Sequence, residues 1–165
     1  MTLVEQITVG SGGAASIEFT GIPQDGKDLK ILVSARSETN SGDIMAYLNG
    51  DKTSGDFSRV LLKGNGGSVF SQDSSGANYL LINNGATESG DTANTFSSLE
   101  IYIPNYAGSQ NKSISVNNVG ENNATSSDIS IYAAIWADTS AVTSFEIELN
   151  DDFAEHTTAS LYIIS

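Results

Sequence analysis

Cysteine is absent from the 165 residues of this chain. Its absence excludes a disulfide framework, a thiolate zinc site and a cysteine nucleophile. A chain of this length buries enough apolar surface to fold as one compact domain without such cross-links. We therefore expect a single domain over residues 1–165 whose stability comes from its core.

Positive charge is scarce and scattered. Seven Lys and Arg residues stand against 20 Asp and Glu, which gives a formal net charge of -13. Because binding to a nucleic-acid backbone depends on cations that displace counterions from phosphate, we expect no nucleic-acid partner. The acidity keeps copies of the chain apart in solution, and binding of a cation or of a basic partner is the alternative explanation.

Long apolar runs are missing as well. No segment approaches the roughly 20 apolar residues of a membrane span, and the N-terminus has no basic region followed by an apolar stretch. We expect no membrane partner and synthesis in a reducing cytoplasm. Because no signal peptide is evident, we interpret the tripeptides at Asn111 and Asn123 as chance matches to the glycosylation pattern.

Motifs for catalysis and cofactor binding are also lacking. His156 is the only histidine and lies in a polar stretch that predicts a surface loop. No Gly-x-Ser-x-Gly elbow accompanies it, and the glycine pairs lack the Lys-Ser/Thr of a phosphate-binding loop. The segment from Asn49 to Ser54 has oxygen donors at alternate positions but lacks the glycine and glutamate of a calcium loop. We expect no enzymatic activity, no metal and no cofactor.

One group of carboxylates leaves an enzymatic alternative open. Glu146 and Glu148 alternate onto one face of a strand, and Asp151 and Asp152 follow. Glycoside hydrolases work with two carboxylates on either side of a sugar. A solvated strand face protected by charge explains the same residues, and we favour that interpretation.

The chain is rich in β-branched and aromatic residues that alternate with polar ones. The clearest strands are predicted over residues 16–20, 28–37, 98–103, 128–136, 143–149 and 159–164. Turn signals such as Asn49-Gly50 and Asn84-Gly85 separate roughly ten strands in all. We predict an all-β, antiparallel β-sandwich of jelly-roll-like form, with exposed loops at Gln72–Gly76 and Glu88–Thr95.

The strand over 128–136 is apolar on both faces. One face carries Ile129, Ile131, Ala133 and Ile135, and the other carries Tyr132, Ala134 and Trp136. This predicts a central strand, or a strand whose second face meets a neighbouring chain. Tyr and Trp supply rigid contact area for sugars and for proteins. The candidate partner or glycan contacts are Tyr102, Tyr106, Tyr132 and Trp136, each with burial in the core as the alternative.

Several short segments spread along the chain carry a family resemblance. They are Val9–Gln24, Asp28–Lys30, Ser34–Arg36, Leu48–Gly50, Ile103–Tyr106, Trp136 with Thr139–Ser144, and Phe153 ahead of Ser160–Tyr162. Together they resemble small β-rich virion proteins of tailed bacteriophages, including marine phages. That family usually ends in Leu-Tyr-Gly-Ile, whereas this chain has isoleucine at Ile163 and Ile164. The resemblance implies a jelly-roll-like virion structural protein and transfers no catalytic residue.

These observations give an expected function. We expect a virion structural protein, made in the host cytoplasm, that serves as a capsid-surface decoration (cement) or head-fibre protein. We expect it to form a homo-oligomer, with a trimer favoured, through apolar outer faces around Tyr132 and Trp136, and to contact the major capsid protein or fibre and tail proteins. A receptor- or glycan-binding module of a tail fibre, with a host-surface glycan as partner, is the alternative, and an enzyme acting on surface polysaccharide ranks last.

Overall fold

The computed structural model describes residues 1–121 and 127–165, so the tripeptide at Asn123 lies outside the described residues. The described residues form twelve β-strands and no helix. The strands are β1 (Thr2–Thr8), β2 (Ala14–Phe19), β3 (Asp28–Ser34), β4 (Ile44–Leu48), β5 (Phe57–Gly64), β6 (Val69–Ala77), β7 (Leu80–Ile82), β8 (Ser98–Ile103), β9 (Lys112–Glu121), β10 (Ser127–Trp136), β11 (Phe145–Phe153) and β12 (Thr158–Ile164).

Four antiparallel strand pairs define the topology. β1 pairs with β12, β2 with β11, β3 with β8 and β4 with β7. These pairs alternate between two sheets, so that β1-β12-β3-β8 belong to one sheet and β2-β11-β4-β7 form the other. This is a long hairpin rolled into two sheets, which is the arrangement of a jelly roll. The predicted all-β, antiparallel, jelly-roll-like sandwich is confirmed.

Two hairpins are inserted into this roll. β5 and β6 lie between β4 and β7 in sequence, and β9 and β10 lie between β8 and β11. These four strands, which we call the inserted strands, continue the first sheet beyond β8 in the order β9-β10-β5-β6. The larger sheet therefore has eight strands, whereas the smaller sheet has four.

The core lies between the sheets and takes alternate residues from the strands. Every second residue of β3 is buried, beginning with Leu29. β11 buries Phe145 and Ile147 and turns Glu146 and Glu148 outward. The shared outward face of Glu146 and Glu148 is the one predicted from the sequence. Each fully buried large apolar side chain stabilises the fold by about 1.5–3 kcal/mol, so these alternating faces hold the two sheets together.

One predicted loop is instead a strand. Residues Gln72–Gly76 form the middle of β6, which lies at the edge of the larger sheet and pairs only with β5. An edge strand that is exposed on both faces needs no apolar alternation, so its polar composition wrongly predicted a loop. The segment Glu88–Thr95 contains no strand, in agreement with the prediction.

Candidate interaction surface

The outer face of the inserted strands is apolar. Seven large side chains on this face are each 45–73% exposed, namely Val60, Leu62, Val69, Val119, Ile129, Ile131 and Ile135. The strand register places Ile131 opposite Leu62, and Ile129 opposite Val119. We call these seven residues the outer apolar face. They expose on the order of 500 Å² of apolar surface, which is at the upper end of what monomeric proteins leave in contact with water.

A groove of about 680 Å³ crosses this face. Val60 and Ile135 line its middle, Tyr102 and Pro104 line it on the side of β8, and Asp73 lines it on the side of β6. The groove is therefore shallow, mostly apolar and built on strands rather than on loops. Its walls are set by the backbone register of the sheet.

Tyr102 is the predicted contact residue that reaches this groove. It is half-buried, and its hydroxyl donates a 2.8 Å hydrogen bond to Asp28 Oδ2. That bond raises the pKa of Tyr102. The backbone N–H of Asn105 donates to Asp28 Oδ1 at 2.9 Å and lowers the pKa of the Asp28 carboxyl. The Tyr102 ring is thus held in place at one end of the groove.

The other three predicted contact residues are buried. Tyr106, Tyr132 and Trp136 are each at most 1% exposed. Their burial corrects the interpretation that they contact a partner or a glycan at the surface. The expected apolar outer face around Tyr132 and Trp136 is corrected too, because the exposed side of β10 is the isoleucine side.

Polar atoms at the tips of the aromatic rings explain this orientation of β10. The backbone N–H of Asn83 donates to the Tyr132 hydroxyl at 2.8 Å. The Trp136 indole donates to Asp51 Oδ2 at 2.7 Å, and its ring stacks on Phe57 with 6.4 Å between centroids. The loops around Asp51 and Asn83 thus offer partners on the inner side, which an isoleucine could not use.

The carboxylates of β11 form a separate cluster on the outer face of the smaller sheet. Lys52 Nζ lies 2.8 Å from Glu148 Oε1 and 4.0 Å from Glu146 Oε2. The hydrogen bond from Lys52 lowers the pKa of Glu148, whereas burial and the charge of Glu148 raise the pKa of Glu146. Both carboxylates project from one strand rather than from opposite sides of a cleft. This arrangement fits a charge-protected face better than a glycosidase site.

His156 and the acidic residues form no metal cluster in the described part of the chain. His156 has a positive φ of 74°, and its backbone N–H donates to the Val9 carbonyl at 3.0 Å. Within residues 1–121 and 127–165, no group of three or more His, Cys, Asp or Glu is arranged to hold a metal ion. The same residues include no helix long and apolar enough to cross a membrane.

No protein-family model matches the chain, and no curated protein matches it. Among solved structures, the crystal structure of galectin LEC-6 from Caenorhabditis elegans is similar at 15% identity over 95% of each chain, with a TM-score of 0.36.

Proposed function

We propose that the protein is a non-enzymatic structural protein of a bacteriophage virion, a capsid-surface decoration or head-fibre protein that self-assembles through the outer apolar face. The resemblance to phage virion proteins supports the location in a particle. The observation that carries the proposal is the outer apolar face itself, because an acidic, otherwise well-packed chain leaves it in contact with water.

The charge distribution favours a second copy of this chain as the occupant. The outward positions of Ser58–Gly64, Ser113–Val119 and Ile129–Ile135 carry no charged side chain, although the chain has a net charge of -13. Two copies that meet through β5, β9 and β10 bring no like charges into direct contact, whereas Asp73 lies beside these strands on edge strand β6. The remaining acidic surface then stays in solvent, where its repulsion is screened.

The size of the face also fits one protein partner. A standard interface buries about 800 Å² on each partner, of which somewhat more than half is apolar. The roughly 500 Å² of the outer apolar face matches that apolar share. Val69 on edge strand β6 is the most exposed member of this face, at 73%.

Substitution of Ile131 tests self-association through this face. Ile131 is 46% exposed in the middle of the face, and Ile131→Asp would place a desolvated charge in the interface. We expect the wild-type protein to be oligomeric in sedimentation analysis and Ile131→Asp to be monomeric. Val4→Asp is the matched control, because Val4 is 38% exposed on β1 at the far edge of the same sheet. A monomeric wild-type protein, or equal effects of both variants, would contradict self-assembly through this face.

Capsid binding tests the location in the particle. Purified protein is mixed with capsids that lack it, and the particles are imaged by cryo-electron microscopy. Regular density on the head lattice supports decoration of the capsid. Bare heads with density only at the tail or fibres refute it and favour the receptor-binding alternative.

A glycan-binding role is the second candidate, and the groove that ends at Tyr102 favours it. The groove offers one fixed tyrosine and the hydroxyl-bearing Ser113 and Ser115, which suit a sugar. A glycan screen of wild type and Tyr102→Ala, with Tyr162→Ala as control, tests this role. Binding that only Tyr102→Ala abolishes supports it, and a flat screen removes it.

A further inference from the structure

Arg59 is a buried cation without a counter-ion. It lies on the inner side of β5 and is 7% exposed. Its Nε and Nη1 atoms have no hydrogen-bond partner in the described part of the chain, and none of the ion pairs there includes Arg59. Its guanidinium carbon lies 5.5 Å from the centroid of the Tyr132 ring. Burial of an unpaired charge is costly, so this contact alone leaves the guanidinium under-satisfied.

The other buried or half-buried cations have partners. The guanidinium of Arg36 donates to the carbonyls of Thr92 and Thr95 at 3.0 and 3.1 Å. The Lys63 Nζ lies 2.7 Å from Asp128 Oδ2. The Lys112 Nζ donates to the Gly108 carbonyl at 2.8 Å. Arg59 thus differs from these basic side chains, because their charged groups have hydrogen-bond or ion-pair partners.

A small cavity borders Arg59. It has a volume of about 70 Å³ and lies between the hairpin β5–β6 and strand β7. Its lining combines hydroxyl-bearing residues (Ser58, Ser74 and Tyr79) with apolar residues (Phe57, Ala77, Leu80 and Leu81). Arg59 is the one charged residue in this lining. Several lining residues are half-buried, so the cavity opens towards solvent.

A β-bulge in β6 lies next to this cavity. Phe57 pairs with Ala77 and Arg59 pairs with Ser74, so β6 has one more residue than β5 over this stretch. Gly76 within the bulge has a positive φ of 72°, which glycine adopts without strain. Bulges redirect side chains and are frequent beside binding sites. This bulge therefore shapes the wall that faces Arg59.

We propose that the cavity beside Arg59 binds a small carboxylate. The volume equals that of about two water molecules, which suits a carboxylate group and excludes a whole sugar ring. The planar guanidinium matches a carboxylate, and the hydroxyl-bearing residues Ser74 and Tyr79 in the lining offer further donors. A phosphate or sulfate has more oxygen atoms to satisfy than this half-apolar cavity can serve. The carboxylate comes either from a free small acid or from an acidic sugar whose ring stays outside.

Nuclear magnetic resonance of the Arg59 Nε–H group tests this proposal directly. The signal is assigned by its loss in Arg59→Lys, and full-length protein is titrated with acetate, glucuronate and phosphate against sodium chloride of equal ionic strength. We expect a saturable shift with acetate or glucuronate. Arg59→Gln should weaken acetate or glucuronate binding, followed by calorimetry, by about tenfold or more, because the charge-assisted hydrogen bonds are lost.

Two further variants distinguish binding in the cavity from a general effect of charge. Lys27→Gln removes the same charge at an exposed position and should leave carboxylate binding unchanged. Ala77→Met fills the cavity but retains Arg59, and should also abolish binding. A preference for glucuronate identifies an acidic sugar as the source, and equal binding identifies a free carboxylate. An absent or non-saturable shift, an equal response to chloride, or tighter binding of phosphate overturns the proposal.

Discussion

Hydrogen bonds to single polar atoms explain on which side of β10 the aromatic residues Tyr132 and Trp136 lie. The Tyr132 hydroxyl is the partner of the Asn83 backbone N–H, and the Trp136 indole is bound by Asp51. Both rings therefore fill the core beneath the inserted strands, and Ile131 and Ile135 are left outside. The exposed isoleucines, not the aromatics, form the outer surface of β10.

Removal of the Tyr132 hydroxyl should destabilise the fold. Tyr132→Phe leaves the Asn83 N–H without its 2.8 Å acceptor, which costs about 1–2 kcal/mol. Urea unfolding measures the loss. Tyr162→Phe is the control, because the Tyr162 hydroxyl has no hydrogen-bond partner among the described residues and its loss should change stability by less than about 0.5 kcal/mol. Equal effects of both variants would contradict the role assigned to this hydroxyl.

Tyr47 should make stability depend on alkaline pH. Burial, together with the charges of Glu148 and Glu146, raises the pKa of Tyr47 to about 12. In the unfolded chain a tyrosine has a pKa of about 10, so the unfolded state loses its proton first as the pH rises. The stability that neutral Tyr47 contributes is therefore complete below about pH 10 and declines towards about pH 12.

The matching variant is Tyr47→Phe. Its free energy of unfolding should fall less than that of wild type between about pH 10 and about pH 12, with a difference on the order of 2 kcal/mol. Denaturant unfolding at several pH values gives both slopes. Parallel slopes would show that the buried phenol contributes nothing to the alkaline loss.

At the level of elements, close backbone approach ties the loop before β4 to the loop after β7. The Ala86 N–H donates to the Gly42 carbonyl at 2.9 Å, and a Cβ at Gly42 would lie 2.3 Å from the Ala86 carbonyl oxygen. We expect Gly42→Ala to destabilise the protein by about 1–3 kcal/mol, because backbone must move. In thermal unfolding, Gly10→Ala should be close to neutral, since a Cβ there meets nothing within 4 Å. A neutral Gly42→Ala would mean that the two loops separate freely.

The alternation of apolar and polar residues predicts where the strands of this fold lie better than it predicts what each strand packs against. It gives β8 (Ser98–Ile103) with the observed bounds and sorts the residues of β10 correctly onto two faces. It cannot say which face of β10 is inside, because both faces are apolar and the choice depends on distant loops at Asp51 and Asn83. Edge strand β6 escapes detection because pairing with β5, not composition, makes it a strand.

The candidate sites are less visible in the sequence than the strands. Val60, Leu62 and Val119 come together with Ile131 only through pairing across the sheet, and no local pattern marks them as one surface. In the sequence, Arg59 lies between Ser58 and Val60, and neither neighbour marks it as buried. Its burial follows from its inward position on β5, and the cavity beside it exists only where β5, β6 and β7 come together in the folded chain.

At the scale of the whole molecule, the acidic surface opposes association and the outer apolar face favours it. With a net charge of -13, copies repel one another over about 30 Å at 0.01 M salt but over only about 3 Å at 1 M. We therefore predict that added sodium chloride strengthens self-association, as measured by sedimentation equilibrium. Ile131→Asp should remain monomeric at both salt concentrations. Weaker association at high salt would instead indicate an interface built on ion pairs.

The outer apolar face is assembled from three separate chain segments, which lie in β5–β6, β9 and β10. During synthesis, Val60 and Leu62 leave the ribosome well before Ile131 and Ile135, so the surface does not exist until these strands have paired. Contacts between such distant segments form late in folding, since the chain must first close long loops. The self-association that we propose would thus be restricted to molecules that have completed their larger sheet, and an incompletely folded chain would be kept out of the assembly.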